Sequence, residues 1–308
     1  MAVGRFAPSP SGPLHLGNLR TAMLAWLFAR SSGSRVGLRV EDLNPGADSV
    51  EVAQRQIDDL ARLGLDWDGP VTAQHDHRSR FDTVIAALES ADLTYPCFCS
   101  RREVLEAAVA PHGPSPEGAY PGTCRDLTPS EQADRARALG PDRAPALRLL
   151  TNGGVVTVDD RLHGPVSAVV DDFVLRRGDG VPSYNLAVVV DDYADGIEEV
   201  VRGDDLILSS PRQAYLARLM GALVPTYVHV PLVLGPDGTR LAKRDGAVTL
   251  ADREALGETP DQVRSFLAAS LGLAEPGEPA TMAELLERFD PDRLPRRPWT
   301  IDRSTLGD

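Results

Sequence analysis

Three short stretches of the sequence combine residue types that do chemistry when they are held at fixed spacing. The first is Arg5-Phe6-Ala7-Pro8-Ser9-Pro10-Ser11-Gly12-Pro13-Leu14-His15-Leu16-Gly17-Asn18. Its prolines and glycine forbid regular structure up to His15, after which Leu16, Leu19, Met23, Trp26 and Leu27 recur at helical spacing. A helix N-terminus presents free N–H groups and the positive end of the helix dipole, which together seat a phosphate. Gly17 lets a ligand approach the backbone closely, and His15 has an imidazole N–H to give to a phosphate oxygen. A histidine near a helix start is, on its own, more often a surface residue; the stiffened loop that delivers His15 reverses that balance.

The second stretch, Gly238-Thr239-Arg240-Leu241-Ala242-Lys243-Arg244-Asp245-Gly246, places three cations within five residues. Such a run is ordinarily a solvated face. Here 31 of the 32 basic residues are arginine, and Lys243 is the only lysine. Chance is the plain explanation; the sharper one is a position needing a compact, flexible ammonium where a planar guanidinium does not fit. The third stretch carries all the cysteines: Cys97, Cys99 and, 25 residues further on, Cys124. They supply three ligands of a tetrahedral zinc site. Tyr120, four residues before Cys124, is the candidate fourth, its phenol acidified by the metal; His112 and Asp126 are the rivals, and free buried thiols are the plain alternative.

These stretches need elements to position them. Val3-Gly4-Arg5-Phe6 reads as a short buried strand, and Val36 to Val40 as the next, ending in Glu41-Asp42. Asp48 or Ser49 then caps a helix with Val50, Ala53, Ile57 and Leu60 on one face, closed by Gly64. Strand, loop, helix, strand and helix in that order predict a βαβ half of a parallel sheet. Val155 to Val158 and Val166 to Val170 look like short strands of an insertion. Val188 to Val190, followed by Asp191-Asp192, reads as another buried strand with acids at its carboxyl end, and Pro231 to Leu234 as a further apolar run. Thr259 before Pro260, and Thr281 three residues before Glu284, start two helices towards the end.

Composition excludes some classes. With 308 residues and 42% hydrophobic, the chain can bury a core without disulfides. Its longest apolar run, Ala22 to Ala29, is far short of the ~20 residues that span a bilayer. No basic segment followed by an apolar one opens it, so no secretory signal is expected. An odd number of cysteines fits a reducing cytoplasm. The expectation is a cytoplasmic protein, away from membranes and monomeric. The formal charge of −13 decides little, because a local basic face can bind RNA on an otherwise acidic surface.

Taken together, the first two stretches resemble the class I aminoacyl-tRNA synthetases. His15-Leu16-Gly17-Asn18 is similar to their "HIGH" motif, and Arg240-Leu241-Ala242-Lys243-Arg244 to their "KMSKS" loop. The string from Arg5 to Thr21 looks like the glutamyl branch, and the likeness continues through Arg39-Val40-Glu41-Asp42, Tyr184-Asn185-Leu186-Ala187 and Val201-Arg202-Gly203-Asp204-Asp205. The fold implied is α/β, a class I synthetase Rossmann-type parallel sheet with a zinc-containing insertion and a small helical C-terminal region. The resemblance implies that L-glutamate attacks ATP, which enters with Mg2+, to give glutamyl-adenylate. It implies catalysis by His15, Gly17 and Lys243, with ATP held by these together with Asn18 and Arg240. Glutamate contacts map onto Arg5, Phe6, Ala7, Pro8, Ser9, Glu41, Tyr184 and Arg202. An arginine suits a carboxylate through paired N–H bonds, and Glu41 suits an ammonium. Glutamyl-type enzymes also carry Cys-x-Cys with a later Tyr-x-x-x-Cys, which strengthens one structural Zn2+ at Cys97, Cys99, Tyr120 and Cys124. The loop departs from the pattern: Arg240, Ala242 and Arg244 replace a lysine and two serines, and Lys243 is kept.

Sixty-four residues follow Arg244, too few for the helical anticodon-binding domains of a full glutamyl-tRNA synthetase. The resemblance is therefore to the truncated branch, the glutamyl-Q tRNA(Asp) synthetases. That branch activates glutamate without tRNA and transfers it to the cyclopentene ring of queuosine at the wobble position of tRNA(Asp). Arg101, Arg102, Arg125, Arg135 and Arg137 are candidates for phosphate contacts with that RNA. The expected organisation is residues 1–95 and 185–225 as the two halves of the Rossmann domain, 96–184 as the insertion with the zinc module and acceptor-binding part, and 226–308 as the KMSKS-like loop and helical region. A minimal glutamyl-tRNA synthetase charging a tRNA 3′ end, and a non-catalytic glutamate or adenylate sensor, are the alternatives.

Overall fold

The computed structural model describes residues 3–44, 49–108, 119–140, 143–241, 245–246 and 248–306. The chain enters as its apolar pattern dictates. Strand β1 (Val3–Phe6) leads through the proline-rich loop into helix α1 (Leu16–Ser31), and β2 (Arg35–Val40) returns parallel to β1. Helix α2 (Val50–Arg62) follows, capped by the Ser49 hydroxyl, which accepts from the Val52 amide; Asp48, the other expected cap, lies outside the described residues. Gly64 closes it at φ +87°, a conformation that favours glycine. Of the face expected to be apolar, Leu60 is buried but Val50 is 80% exposed, since α2 turns only its later turns to the core.

Next come β3 (Thr72–Ala73), α3 (Arg78–Ser90), β4 (Thr94–Cys97), α4 (Arg101–Ala108), α5 (Pro129–Leu139) and β5 (Ala146–Leu149). Then follow β6 (Val155–Asp160), β7 (Gly164–Val169), β8 (Val174–Arg176), α6 (Tyr184–Ala194), β9 (Glu199–Gly203), α7 (Ser210–Leu219), β10 (Thr226–Val230) and β11 (Val233–Leu234). The described elements end with α8 (Leu250–Ala255), α9 (Pro260–Ala269), α10 (Met282–Arg288) and β12 (Trp299–Thr300).

The main sheet runs β3-β2-β1-β9-β10-β6-β7, parallel throughout except for β7. The chain builds outward from β1 in one direction, then returns to its other side at β9. A crevice opens at the carboxyl ends of strands where the order reverses in this way, and ligands of open α/β sheets bind there. Within residues 96–184, β5 pairs with β8 and with β4 in a separate antiparallel sheet, whereas β6 and β7 extend the main sheet beside β10.

Val188 to Val190, expected as a strand, belong to α6. Leu186 through Asp192 are all buried, so this helix has no polar stripe to reveal its period. Its start is set by Ser183, whose hydroxyl accepts from the Leu186 amide. Helices α9 and α10 pack against α1 in the larger apolar core. There Arg20 of α1, 1% exposed, donates to the carbonyls of Pro231 and Ser270. Among the described residues, no helix is long and apolar enough to cross a membrane.

Candidate active site

The loop after β1 is tied down along its length. The Gln56 side-chain amide donates to the carbonyls of Ser9 and Gly12 at 3.0 and 2.6 Å, and Pro8 and Pro10 accept from the Glu41 and Ser49 amides. The loop delivers His15 as the N-cap of α1. Its Nδ1 accepts from the Asn18 amide at 3.3 Å, while Asn18 Oδ1 accepts from the His15 amide at 3.2 Å. An acceptor Nδ1 puts the proton of the neutral ring on Nε2. Burial, and then the Arg240 cation, press the His15 pKa down to about 4, so the ring is a neutral Nε2–H donor at neutral pH. Gly17 has a reason beyond ligand approach: a Cβ there would lie 3.0 Å from the His15 ring and 3.3 Å from Val233. Asn18, read as a nucleotide contact, is also the partner that fixes the ring's tautomer.

Lys243, with Ala242 and Arg244, lies outside the described residues. The chain on both sides of it is anchored beside His15. Leu241 donates to the Val233 carbonyl, and the Leu16 amide donates to Val248 at 2.8 Å. Arg240 pairs with Asp205 at 2.7 Å, its side chain 57% exposed.

The other end of the crevice holds a buried charge network. Arg5 forms a two-pronged pair with Asp192 (3.3 and 3.4 Å) and reaches the Val201 carbonyl. Arg39 donates to the same Asp192 at 2.8 Å, to Glu41 at 3.3 Å and to Asp195 at 3.4 Å. Burial pushes the Glu41 pKa up against the pull of Arg39 and Arg5, whereas for Asp192 the two arginines outweigh burial and hold it down. Arg202 reaches the Tyr184 hydroxyl at 3.3 Å and Ser210 Oγ at 2.7 Å.

One cavity of about 530 Å³ joins these ends. It is lined by Phe6, Ala7, Pro8, Ser9, His15, Gly17, Asn18, Glu41, Tyr184, Arg202 and Arg240. Arg5 does not line it; it stands behind, held by Asp192. A larger cleft of about 990 Å³ shares Ser9, Glu41 and Tyr184 with it and runs past Arg101, Arg148 and Arg177 to Cys99. Sequence reasoning missed the roles of Asp192, Gln56 and His229. For Asp192 and His229 the available signal was a titratable residue in or beside an apolar run; Gln56, in a polar stretch, gave none.

At that far wall Cys97, Cys99 and Cys124 bring their sulfurs within 4.8 Å of one another. Cys99 and Cys124 are 3.6 Å apart, and the Tyr120 hydroxyl lies 3.4 Å from Cys97 and 3.7 Å from Cys99. A tetrahedron with Zn–S bonds of about 2.3 Å has edges of about 3.7–3.8 Å, so this donor set fits zinc. Of the rival fourth ligands, Asp126 is exposed and outside the cluster, and His112 is outside the described residues. Arg125, a candidate for phosphate contact, binds Asp172 and the Thr151 carbonyl beside the cluster, and Arg137 pairs with Asp134.

The family model for class I tRNA synthetases (E and Q), catalytic domain, matches residues 1–308. A Glutamyl-Q tRNA(Asp) synthetase of Nocardia farcinica is 60% identical over 98% of this chain and 94% of its own length. One of Symbiobacterium thermophilum is 46% identical over 100% and 98%. A glutamate tRNA ligase of Elizabethkingia meningosepticum, solved in complex with its amino acid, superposes with a TM-score of 0.81 at 25% identity, over 99% of this chain and 68% of that one.

Proposed function

Because the chain belongs to the class I tRNA synthetases of the E and Q type, among the glutamyl-Q tRNA(Asp) synthetases, and is thus a ligase of the aminoacyl-tRNA synthetase type, we propose that it activates L-glutamate with ATP in the absence of RNA and hands it to queuosine in tRNA(Asp). A carboxylate oxygen of glutamate attacks the α-phosphorus of ATP, and the bond to pyrophosphate breaks. A hydroxyl of the acceptor then attacks the adenylate carbonyl, and AMP leaves.

The observation that carries this reading is the single cavity joining the His15 helix start to Glu41, Tyr184 and Arg202. Glutamate brings two carboxylates and an ammonium, and that end offers the Arg202 guanidinium, the Tyr184 hydroxyl and the Glu41 carboxylate, with Arg5 behind them. Glu41 takes the ammonium, and Arg202 and Tyr184 take a carboxylate. At the other end, His15 Nε2–H, the positive end of the α1 dipole and the Lys243 ammonium oppose charge on the transferring phosphate; one such preorganised donor is worth about 10²–10³ in rate. Arg240 and Asn18 complete the nucleotide contacts, and Mg2+ supplies further charge neutralisation when it arrives with ATP. The larger cleft, continuous with the cavity at Glu41 and Tyr184, is the acceptor's route. Its arginines suit a single-stranded loop with a splayed base. Zinc at Cys97, Cys99, Tyr120 and Cys124 would supply a structural cross-link behind that wall.

Transfer of labelled glutamate to tRNA(Asp) with and without queuosine tests the acceptor. Label retained only by the queuosine-bearing RNA supports the reading. Label at the RNA 3′ end would mean a minimal glutamyl-tRNA synthetase instead.

A further inference from the structure

Arg202 is oriented by a group that does not line the cavity. Its Nε–H points at Nε2 of His229, 3.0 Å away, and a guanidinium can only donate. Nε2 of His229 is therefore an acceptor, without a proton. The ring's proton must sit on Nδ1, which lies 2.7 Å from Oδ2 of Asp160. Asp160 is held in turn by four N–H donors: the amides of Leu162 and His163 on Oδ1, and the His229 amide and Nδ1–H on Oδ2.

His229 is 0% and Asp160 4% exposed, so water does not compete with this chain of bonds. The remaining groups against the ring are the Ser210 hydroxyl at 3.3 Å and the stacked Tyr227 ring, while His163 Nε2 meets the His229 carbonyl. Burial lowers the His229 pKa, with the Asp160 bond opposing and the Arg202 cation adding to the fall, which agrees with a neutral ring.

We infer that Asp160 and His229 form a positioning relay that fixes the imidazole tautomer and thereby aims the Arg202 guanidinium at a substrate carboxylate. The chain runs across the sheet, from Asp160 at the end of β6 through His229 on β10 to Arg202 on β9. Strand β6, between β10 and β7, thus acts on the substrate from two strands away. The inference rests on the reading of Arg202 as a glutamate contact.

Asp160→Asn tests it sharply. The Asn amide meets the two His229 donors with N–H groups of its own, and the ring escapes by moving its proton to Nε2, where it opposes Arg202 Nε–H. The expected result is a rise of tenfold or more in the KM for glutamate in ATP–pyrophosphate exchange, with the KM for ATP within twofold of wild type. His229→Gln, which keeps an acceptor oxygen towards Arg202, should recover most of that loss. Equal rises in both KM values, or no rise in either, would overturn the relay. The ¹⁵N spectrum of histidine-labelled wild-type protein gives an independent readout: His229 protonated on Nδ1 supports the relay, and protonation on Nε2 overturns it even if Asp160→Asn fails to fold. If wild type shows no glutamate-dependent exchange at all, the glutamate reading fails, while the spectrum still decides the tautomer.

Discussion

The two ends of the cavity are built in opposite ways. At the amino-acid end Arg5, Arg39 and Arg202 are 5%, 2% and 6% exposed, and their partners come from helices and strands distant in sequence. At the nucleotide end Arg240 stands 57% exposed against Asp205. Removing one member of a buried pair costs about 3–5 kcal/mol, whereas an exposed pair contributes about 0–1 kcal/mol. The contrast teaches that the end proposed for the amino acid has its charges buried and paired without any substrate. The end proposed for the nucleotide instead leaves the Arg240 charge largely in water.

The largest effect that bears on this contrast is expected at Lys243. Lys243→Ala should lower pyrophosphate exchange by about a thousandfold or more with an unchanged melting temperature, the mark of a group that serves the phosphates and not the fold. Exchange surviving within tenfold would remove the ammonium from the account. Because Lys243 is the only lysine, periodate-oxidised ATP should label one side chain, and mapping that adduct elsewhere would argue the same way.

Asp192→Asn comes next. It leaves Arg5 and Arg39 short of their common partner and should cost about 3 kcal/mol in urea unfolding, together with a higher KM for glutamate. The sign with pH follows from the depressed Asp192 pKa: its contribution is full above the ordinary carboxylate range and is lost as pH falls through the lower folded value. A stability change below 1 kcal/mol would mean that the amino-acid end is less preorganised than its burial indicates.

Stripping metal with a chelator sharpens the comparison from outside, since the cysteine cluster belongs to neither end. Exchange should stay within about threefold while the melting temperature falls by several degrees and transfer to RNA is lost. Loss of exchange in step with transfer would tie the cluster to activation itself. The smallest effect is in the pH profile. With the His15 pKa near 4, its neutral ring persists well below the usual histidine range, so the acid limb of exchange should lie near 4 and not near 6.5. Arg240→Ala removes one of the forces lowering that pKa, so the limb should move upward. A limb that stays put would separate Arg240 from His15.

The sequence made some of this legible and hid the rest for identifiable reasons. The His15 loop could be read because its chemistry is local: prolines, a cap and a helix period lie within a dozen residues. The cysteine cluster could be read because few residue types ligate zinc. Helix α6 was misread as a strand because Val188, Val189 and Val190 are buried on every side, and an apolar run without a polar face has no period to detect. The Arg39–Asp192 and Asp160–His229 pairs were invisible because their members lie 153 and 69 residues apart. The packing of α6 against the sheet brings the first pair together, and the neighbouring of β6 and β10 brings the second.

The measurement that tests the central claim most directly is glutamate-dependent ATP–pyrophosphate exchange with no RNA present. A preassembled amino-acid end predicts exchange at full rate under those conditions, unchanged when tRNA is added. Exchange that begins only on addition of tRNA would contradict it, because the pocket described here would then be one that the RNA has to complete.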